Sequence, residues 1–512
     1  MDHRLTMHNE TRVDSYLNDL VGDRFVVCFT TLVVTLLLSR ILAKPVINLP
    51  ELNPKKPKEI LIQGRERFHN KLYKAYCDWG EVIVVSPEHI EELRSDMRLS
   101  FMVPANDDTH GYIPGFDPFQ LDERLAKLVT KHLTKALTKL TAPISKEAAF
   151  ALRSILTDSS AWHEMNPKED LVRLVSQMST RIFLGEEFCR NEAWINASGD
   201  YTLAAFEATD PVRMWPRLLR PVVHWFMPIC WDLRLKLADA RQTLEPYMAS
   251  RNAIKAAALA KGEPCPFDDL VEWWESEYGP SNNHVINQLT LTIVAIHTTS
   301  DLLQQTMIDI AKNPELFAPL REEVVQVLGS QGLKKTALYN LKLMDSVFKE
   351  SQRLKPVLLG IWRRQALADV ELSDGYVIKK GQKVIGDSTH MWSSDYYTDA
   401  QKFDGYRFMR LREATGGEDS DSKTAHLVST SSKHLGFGHG LHSCPGRFFA
   451  ANEVKIALCH LLLKYDWKLS EDAKPDSNWT VFGMTIIPDP SIKLMVRRRQ
   501  EEIDIDSLES SE

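Results

Sequence analysis

The sequence has little cysteine and no excess of positive charge. Its seven cysteines are odd in number and none has Cys-x-x-Cys spacing, so a disulfide scaffold is disfavoured and a reducing compartment fits better. The net charge of −7 gives no reason to expect nucleic acid as a partner, because such partners call for a basic surface. Glycine and proline are near ordinary usage, which excludes a collagen-like, low-complexity or largely disordered chain. The 512 residues are compatible with two or three domains and with one large catalytic domain.

One long run without charge lies near the N-terminus. Residues 25–39 contain no charged side chain, and adding Arg40, which can snorkel, and residues 41–43 gives a span that approaches the roughly 30 Å of a bilayer core. A buried core helix and a signal peptide are the alternatives. A cleaved signal is disfavoured because Arg40 and Lys44 follow in place of a small-residue cleavage site. We therefore expect a single membrane-anchor helix over residues 25–43.

The charges beside this run predict its orientation. Residues 1–24 are rich in acids, whereas the other flank opens with Arg40 and Lys44. By the positive-inside tendency, residues 1–24 are lumenal and the main body is cytosolic. The sequon at Asn9 would then face the lumen and could carry a glycan. Prolines stiffen residues 44–58 into a hinge.

The rest of the chain predicts a mainly α fold with small β-sheets. Apolar residues recur at helical spacing in six segments: residues 121–140, 171–184, 285–311, 315–327, 341–354 and 447–465. Short strands are predicted at residues 81–86 and in a hairpin that pairs 370–372 with 376–378. The tail, residues 500–512, is acidic and is expected to be disordered.

The motif FGHGLHSCPGR, residues 437–447, carries the chemistry. Its glycines let the backbone turn tightly, and Cys444 stands just before a predicted helix start, which stabilises a thiolate. A thiolate so placed suits the axial position of a haem iron. The residues alone leave open a buried free cysteine and a zinc site with His439 and His442. A dinucleotide-binding loop fails because Leu441 stands at the third glycine.

This motif resembles the haem-binding loop of the cytochromes P450, FxxGxHxCxGR, and matches it at every fixed position. The resemblance extends over roughly residues 45–498. It implies a cytochrome P450 fold with a single haem domain over residues 59–499 and haem b (iron protoporphyrin IX) as cofactor. Cys444 would be the metal ligand, and Phe437 and His442 would contact the haem. Segments such as residues 181–194 and 404–408 resemble fungal, membrane-anchored members near ent-kaurene oxidase and terpenoid-tailoring enzymes of secondary metabolism.

Glu350 and Arg353 match a second motif of the family. Three residues apart on a helix, they share a face and can pair, although such a pair is usually an ordinary surface contact. The resemblance adds Arg407, from the segment at residues 403–408, as the third member of a structural triad. The family often has proline where this chain has Gly405.

The segment Ala295-Ile-His-Thr-Thr299 resembles the family's oxygen-pocket motif, small-small-x-acid-Thr. The chain keeps Ala295 and Thr299 but has Ile296 for the second small residue and Thr298 for the acid. The resemblance makes Thr299 the hydrogen-bonding partner of the oxygen, and Thr298 with water a substitute for the acid. Back-bonding of both hydroxyls within the helix is the alternative.

Basic residues at two places resemble the family's haem-propionate contacts. Arg364 is the first, although the adjacent Arg363 could take its place, and His442 is placed as another contact. Lys131 is a further candidate. It belongs to a stripe with four-residue spacing, in which a solvated helix face is the commoner explanation. In the family this helix lies where an acidic reductase docks. The members of the stripe are Lys127, Lys131, Lys135 and Lys139.

The resemblance also implies the function. The chain would be a monooxygenase of the endoplasmic reticulum membrane that takes electrons from a separate NADPH–cytochrome P450 reductase, with cytochrome b5 as a further electron donor. Apolar pocket residues such as Ala295, Leu358 and Phe482 suit a hydrophobic small molecule reached from membrane lipid, and a terpenoid or related metabolite is expected. Two other functions stay open: an isomerase or dehydratase on the same fold without oxygen activation, and a non-catalytic haem-binding protein.

Overall fold

The computed structural model describes residues 57–69, 71–280, 283–414, 420–473 and 479–508. The predicted lumenal segment with Asn9, the predicted anchor helix and most of the predicted hinge lie outside these residues. Within the described ranges, no helix has both the length and the apolar character that are needed to cross a bilayer.

Helices dominate the described residues, as predicted, and small sheets complete the fold. The helices are α1 Pro57–Phe68, α2 Pro87–Leu93, α3 Met102–Asp108, α4 Glu123–Leu128, α5 Thr134–Leu156, α6 Pro167–Phe183, α7 Glu192–Arg213, α8 Arg220–Val223, α9 Pro228–Ala260, α10 Leu270–Tyr278, α11 His284–Leu291, α12 His297–Lys312, α13 Phe317–Gln331, α14 Lys335–Asn340, α15 Lys342–Leu354, α16 Arg407–Ala414, α17 Ser420–Thr424 and α18 Arg447–Lys464.

Two of the predicted helices contain a π-helical turn. Val129–Leu133 joins α4 to α5, and Thr292–Ile296 joins α11 to α12. Each π-helical turn is wider than an α-helical turn and interrupts the regular 3.6-residue period of the helix. Such bulges are frequent at functional sites. The second turn lies directly before His297-Thr298-Thr299 and therefore changes which side chains of this segment share a face.

The long helices α7 and α9 are absent from the six predicted segments. α9 runs for 33 residues but buries few of them, among them Cys230, Leu233 and Leu244. A helix that packs only a narrow apolar stripe against its neighbour gives a weak periodic signal. This explains why the sequence pattern did not reveal it.

The strands of the described residues form four small sheets. These strands are β1 Tyr73–Cys77, β2 Gly80–Val85, β3 Leu99–Ser100, β4 His163–Met165, β5 Arg364–Ala366, β6 Val370–Glu371, β7 Val377–Ile378, β8 Lys383–Gly386, β9 Tyr465–Leu469, β10 Trp479–Phe482, β11 Thr485–Pro488 and β12 Leu494–Arg498. The largest sheet has the order β1-β2-β8-β5-β3, in which the β2–β8 pairing is parallel and the others are antiparallel. β4, β12 and β9 form a second sheet, and β10–β11 and β6–β7 are two-stranded. Both the early strand and the 370–378 hairpin are confirmed.

The main apolar core lies between the long helices. Buried side chains of α5, α6, α12, α13, α15 and α18 meet in it. Phe437 and Ala295 pack against the same cluster, so the cysteine motif and the threonine-bearing helix share one core. Both segments are thereby anchored to the main apolar core.

The start of the acidic tail is folded. Ile505 is buried in a short 3₁₀ helix, Ile505–Ser507, and Lys464 Nζ donates to an Asp506 carboxylate oxygen at 2.7 Å. The prediction of disorder is therefore wrong for residues 500–508. Ile503 and Leu508 also pack against the main core, and apolar residues scattered among acids in this way give no periodic signal.

Candidate active site

Cys444 lies in a loop that aims backbone amides at its sulfur. Its own amide donates to the carbonyl of Phe437 at 2.9 Å, which closes the loop. The amides of Gly446 and Arg447, at the start of α18, donate to the sulfur. Burial raises the pKa of the Cys444 thiol, whereas these amides and the Arg447 charge lower it. Burial has the larger effect, so the pKa of Cys444 is raised, and the amides and the Arg447 charge offset only part of the cost of a thiolate here.

The loop before Cys444 is held against α2 by a close backbone approach. Gly440 has φ +78°, and a Cβ built there would lie 2.0 Å from the Arg94 carbonyl oxygen. The amide of Leu441 donates to this same oxygen at 2.8 Å. Trp362 Nε1 donates to the His439 carbonyl at 3.0 Å. Only glycine fits at position 440, both for its dihedral angle and for this contact.

The two adjacent arginines, Arg363 and Arg364, have different partners. Arg363 contacts the carboxylate of Asp108, which also accepts from Lys383 Nζ at 3.1 Å. Arg364 is buried, and its Nη2 has no hydrogen-bond partner in the described part of the chain. Burial lowers the pKa of Arg364 to about 9. An external carboxylate would stabilise the Arg364 guanidinium, so Arg364 stays the predicted propionate contact.

His442 lies beside Arg364. The charge of Arg364 and burial both act to lower the pKa of His442. The Phe101 ring is near both groups, with its centroid 6.2 Å from that of His442 and 5.9 Å from the Arg364 guanidinium carbon. The structure therefore brings these two predicted propionate contacts together. The ring nitrogens of His439 face elsewhere, toward Glu91 at 3.0 Å and Thr430 at 3.2 Å.

Glu350, Arg353 and Arg407 meet in the core. Arg353 Nε and Nη2 each donate to one Glu350 oxygen at 2.8 Å. Arg407 Nε donates to both oxygens at 3.1 Å. The amide of Asp404 adds another bond to this carboxylate at 3.1 Å. The predicted trio therefore fixes the segment before α16 to α15.

The two threonines on α12 differ in exposure. Thr299 is buried, whereas Thr298 is exposed and its hydroxyl donates to the Val294 carbonyl at 2.9 Å. That carbonyl belongs to the π-helical turn. The back-bonding foreseen for a mid-helix threonine is therefore present at Thr298.

Lys131 lies at the surface. Its Nζ contacts the carboxylate of Glu277 on α10, and His132 Nε2 lies 2.9 Å from the same group. Lys127 pairs with Glu123 at 3.6 Å, and Lys139 contacts Asp268. The structure shows Lys131 in a surface ion pair and does not bring it to the group formed by Arg364 and His442.

Backbone pairing joins the segment of the predicted pocket residue Leu358 to the hairpin that carries Phe482. The Leu359 amide donates to the Met484 carbonyl at 2.8 Å, and Leu358 bridges to Thr485 at the start of β11. β11 also packs against α12, which follows Ala295. Phe482, at the tip of the hairpin, is 70% exposed. The hairpin is held by Asp78, whose carboxylate accepts from the Met484 amide at 3.1 Å.

The comparison with known families decides the identity. The family model described as Cytochrome P450 matches residues 44–496. The chain belongs to the cytochrome P450 family. It is 54% identical over 479 residues to the cytochrome P450 monooxygenase eqxH of Fusarium heterosporum, with 90% of this chain and 93% of the relative covered. It is 42% identical to the cytochrome P450 monooxygenase pyr3 of Aspergillus fumigatus, with 85% and 83% covered.

The fold comparison agrees with this assignment. The crystal structure of the cytochrome P450DA heme domain matches with a TM-score of 0.65 at 19% identity, covering 87% of this chain and 94% of that one. The predicted P450 fold is confirmed. The relatives make this P450 an oxidoreductase of the monooxygenase class, as predicted.

The residues of this P450 fit haem b, the cofactor of its family. Cys444, with two amides on its sulfur, is a donor suited to iron. Arg364 is a buried cation without a carboxylate in the described chain, which suits a haem propionate, and His442 lies beside it. When bound, haem supplies the redox chemistry. The chain supplies the thiolate, the cation and an apolar wall that includes Phe437.

Sequence reasoning missed two groups near the site. Asp108 separates the roles of Arg363 and Arg364, but its contacts are more than 250 residues away along the chain. Lys355 contacts the carboxylate of Asp301, two residues beyond Thr299. No motif marks either acid. A signal for Asp301 was available in the sequence, because this acid stands in a segment of apolar helical spacing. The structure shows that this helix is mostly buried.

Proposed function

We propose that this P450 activates dioxygen with electrons from a separate NADPH–cytochrome P450 reductase and hydroxylates or further oxidises a hydrophobic small molecule. The observation that carries the proposal is the Cys444 sulfur with its two amide donors at the start of α18. A thiolate ligand increases electron density at iron and favours cleavage of the oxygen–oxygen bond. Thr299 is the proposed hydrogen-bonding partner of dioxygen.

The substrate class rests on the walls of the proposed pocket and on the sequence resemblance. Ala295, Leu358 and the tip of the β10–β11 hairpin with Phe482 offer apolar surface. Relatives with this degree of identity are fungal monooxygenases. A terpenoid or a related secondary metabolite is the proposed substrate.

Electron delivery is proposed to occur at the basic stripe of α4 and α5. Lys127, Lys131 and Lys139 keep their amino groups at the surface, where their present partners are exposed or half-exposed acids. Such pairs are weak and exchange readily with another acidic surface. The reductase, and cytochrome b5 as a second donor, are the proposed acidic partners.

A location at the endoplasmic reticulum membrane is also proposed. Between the end of α7 and the first turns of α9, large apolar side chains are exposed: Met214, Trp215, Leu218, Val222, Trp225, Phe226, Trp231 and Leu235. Leu218 is 92% and Phe226 80% exposed. Arginines are interspersed among them. Aromatic and apolar side chains mixed with cations are typical of a surface that lies on lipid.

The test is reconstitution of the full chain with an NADPH–cytochrome P450 reductase, followed by screening of terpenoids. We expect NADPH consumption that requires both reductase and substrate, and products that gain one oxygen atom from ¹⁸O₂. An isomerase or dehydratase would convert substrate without NADPH, and a haem-binding protein would convert none. Either result would overturn the proposal.

A further inference from the structure

A cleft with no assigned ligand lies between α2, α15, α16 and the segment that precedes Cys444. Its volume of about 700 Å³ is within the range of small-molecule sites. Neither Cys444, Arg364 nor His442 is among the residues that line it. The cleft is therefore separate from the proposed haem contacts and needs an explanation of its own.

Positive charge is in excess on the walls of this cleft. Five cationic residues line it, namely Arg94, Lys349, Arg407, Arg410 and Lys433. The carboxylate among its described lining residues is that of Glu91. This carboxylate is already engaged, since it lies 2.9 Å from Arg94 Nε and 3.0 Å from His439 Nε2. A concave surface with an excess of cations attracts an anionic ligand.

Lys349 is the buried cation of the cleft that has no acid of its own. Its side chain is fully buried, and its Nζ donates to the carbonyls of His426 at 2.8 Å and Ser429 at 2.9 Å. Among the residues that the structure describes, no carboxylate pairs with it. Asp345, whose charge acts on Lys349, lies 2.5 Å from Lys455 Nζ. Burial lowers the pKa of Lys349 to about 7, and a bound anion would favour its charged form.

Hydroxyl groups lie on the same walls. Three consecutive hydroxyl residues, 430–432, line the cleft. The Ser431 hydroxyl accepts from the His434 amide at 3.1 Å, whereas the Ser432 hydroxyl has no hydrogen-bond partner within the described ranges. An ammonium group and a hydroxyl group both donate to anionic oxygens. The cleft therefore combines a charge and hydrogen-bond donors that suit an oxyanion.

We propose that this cleft binds the phosphate group of a small molecule, either as free phosphate or as a phosphate ester, with Lys349 and Ser432 as donors. A phosphate group has three strong acceptor oxygens and nearly two negative charges near neutral pH, so it can reach donors on different walls. The volume exceeds what a single phosphate ion fills, and Tyr396 and Phe408 offer aromatic surface to an organic group. An ester is therefore the expected form. The inference does not depend on the proposed monooxygenase function.

The test is isothermal titration calorimetry of the full-length, haem-loaded protein. The probes are inorganic phosphate and adenosine monophosphate, and adenosine is the control without a phosphate group. We expect both phosphate-bearing probes to bind and adenosine to release no heat of binding. Tighter binding of adenosine monophosphate identifies an ester as the ligand, and tighter binding of inorganic phosphate identifies the free ion. Both results support a phosphate site.

A substitution of the buried lysine assigns the binding to this cleft. Lys349→Met removes the ammonium group and should raise the Kd of the tighter probe roughly ten- to hundredfold, as expected for loss of a charge-assisted hydrogen bond. Lys464→Met is the matched control. Lys464 is also buried, but its Nζ donates to an Asp506 carboxylate oxygen at 2.7 Å outside the cleft. This control should leave the Kd unchanged.

A second pair of variants changes exposed positions and decides the matter if Lys349→Met does not fold. Lys433→Glu places a negative charge in the cleft wall and should raise the Kd roughly tenfold, because attraction is replaced by repulsion. Lys342→Glu makes the same change at an exposed position of α15 outside the cleft, and should have little effect.

No binding of either phosphate-bearing probe at millimolar concentrations would overturn the inference. Equal Kd values in Lys349→Met and Lys464→Met, or in Lys433→Glu and Lys342→Glu where Lys349→Met does not fold, would also overturn it. Binding of adenosine as tight as that of adenosine monophosphate would show that the phosphate group is not recognised, which contradicts the inference. The proposed monooxygenase function is tested separately, by turnover with the reductase.

Discussion

Arg407 Nε lies 3.1 Å from both carboxylate oxygens of Glu350, 57 residues away in the chain. Since Arg353 also donates to both oxygens, two guanidinium groups share one fully buried carboxylate. Both arginines also donate to backbone carbonyls of the segment between β8 and α16. The arrangement ties an irregular stretch of backbone to the core by charge and by hydrogen bonds.

Glu350→Gln should therefore destabilise the fold severely. The substitution leaves Arg353 and Arg407 buried without a counter-charge, which costs about 3–5 kcal/mol. Thermal unfolding of the purified protein measures the loss. Asp96→Asn is the control, because it breaks the exposed pair with Arg98 and should change stability by less than about 1 kcal/mol. Equal stabilities of the two variants would contradict this account.

Arg364→Met should weaken haem retention. Loss of a charged hydrogen-bonding partner costs about 1.5–3 kcal/mol, so dissociation of haem to a scavenger protein should become roughly ten- to hundredfold more favourable. Arg363→Met, next in the chain, is the control and should retain haem nearly as wild type does, because Arg363 contacts Asp108. A larger loss of haem from the Arg363 variant would reverse the assignment.

Stability should depend on pH through Glu453. Burial raises the pKa of Glu453 from 4.5 to about 8, with only the Ser179 hydroxyl, 2.7 Å away, opposing it. Between these values the folded protein binds a proton that the unfolded chain does not. The free energy of unfolding should then be highest below about pH 4.5, as far as this group is concerned, and fall as pH rises to about 8. Denaturant titrations should show a smaller fall for Glu453→Gln, and an identical slope would refute the account.

The exposed apolar surface should contact lipid. A spin label at Leu218→Cys, in full-length protein embedded in nanodiscs, should be relaxed by lipid-soluble oxygen more than by a water-soluble nickel complex. A label at Glu322→Cys, on the exposed face of α13, should show the opposite preference. If the nickel complex relaxes the spin label more than oxygen does at both positions, residues 214–235 face water and the account is contradicted.

Much of the fold was predictable because it follows from local patterns. The helices at residues 285–311 and 341–354 have regular apolar spacing and were found within a few residues of their ends. The π-helical turn at Thr292–Ile296 has no such signal, because one wider turn depends on packing around it. The weak apolar stripe of α9 and the burial of Ile505 depend likewise on their neighbours.

The candidate site shows the same division. Cys444 and the Glu350–Arg353 pair lie in short motifs whose spacing has physical meaning, and the family resemblance was needed to prefer them over a buried free cysteine and an ordinary surface pair. Arg407 came from the family resemblance alone, because no spacing links it to Glu350. The contacts of Asp108 with Arg363 and of Asp301 with Lys355 join distant segments, and only the folded chain reveals them.

The most direct test of the central claim is the carbon monoxide difference spectrum of the reduced, haem-loaded protein. The account predicts a strongly red-shifted Soret band for the wild type and for Cys265→Ala, a change of a half-buried cysteine outside the site. Cys444→Ala should lose this band. A well-folded, haem-loaded wild type without the band, or a Cys444→Ala variant that keeps it, would contradict ligation by Cys444 and the function built on it.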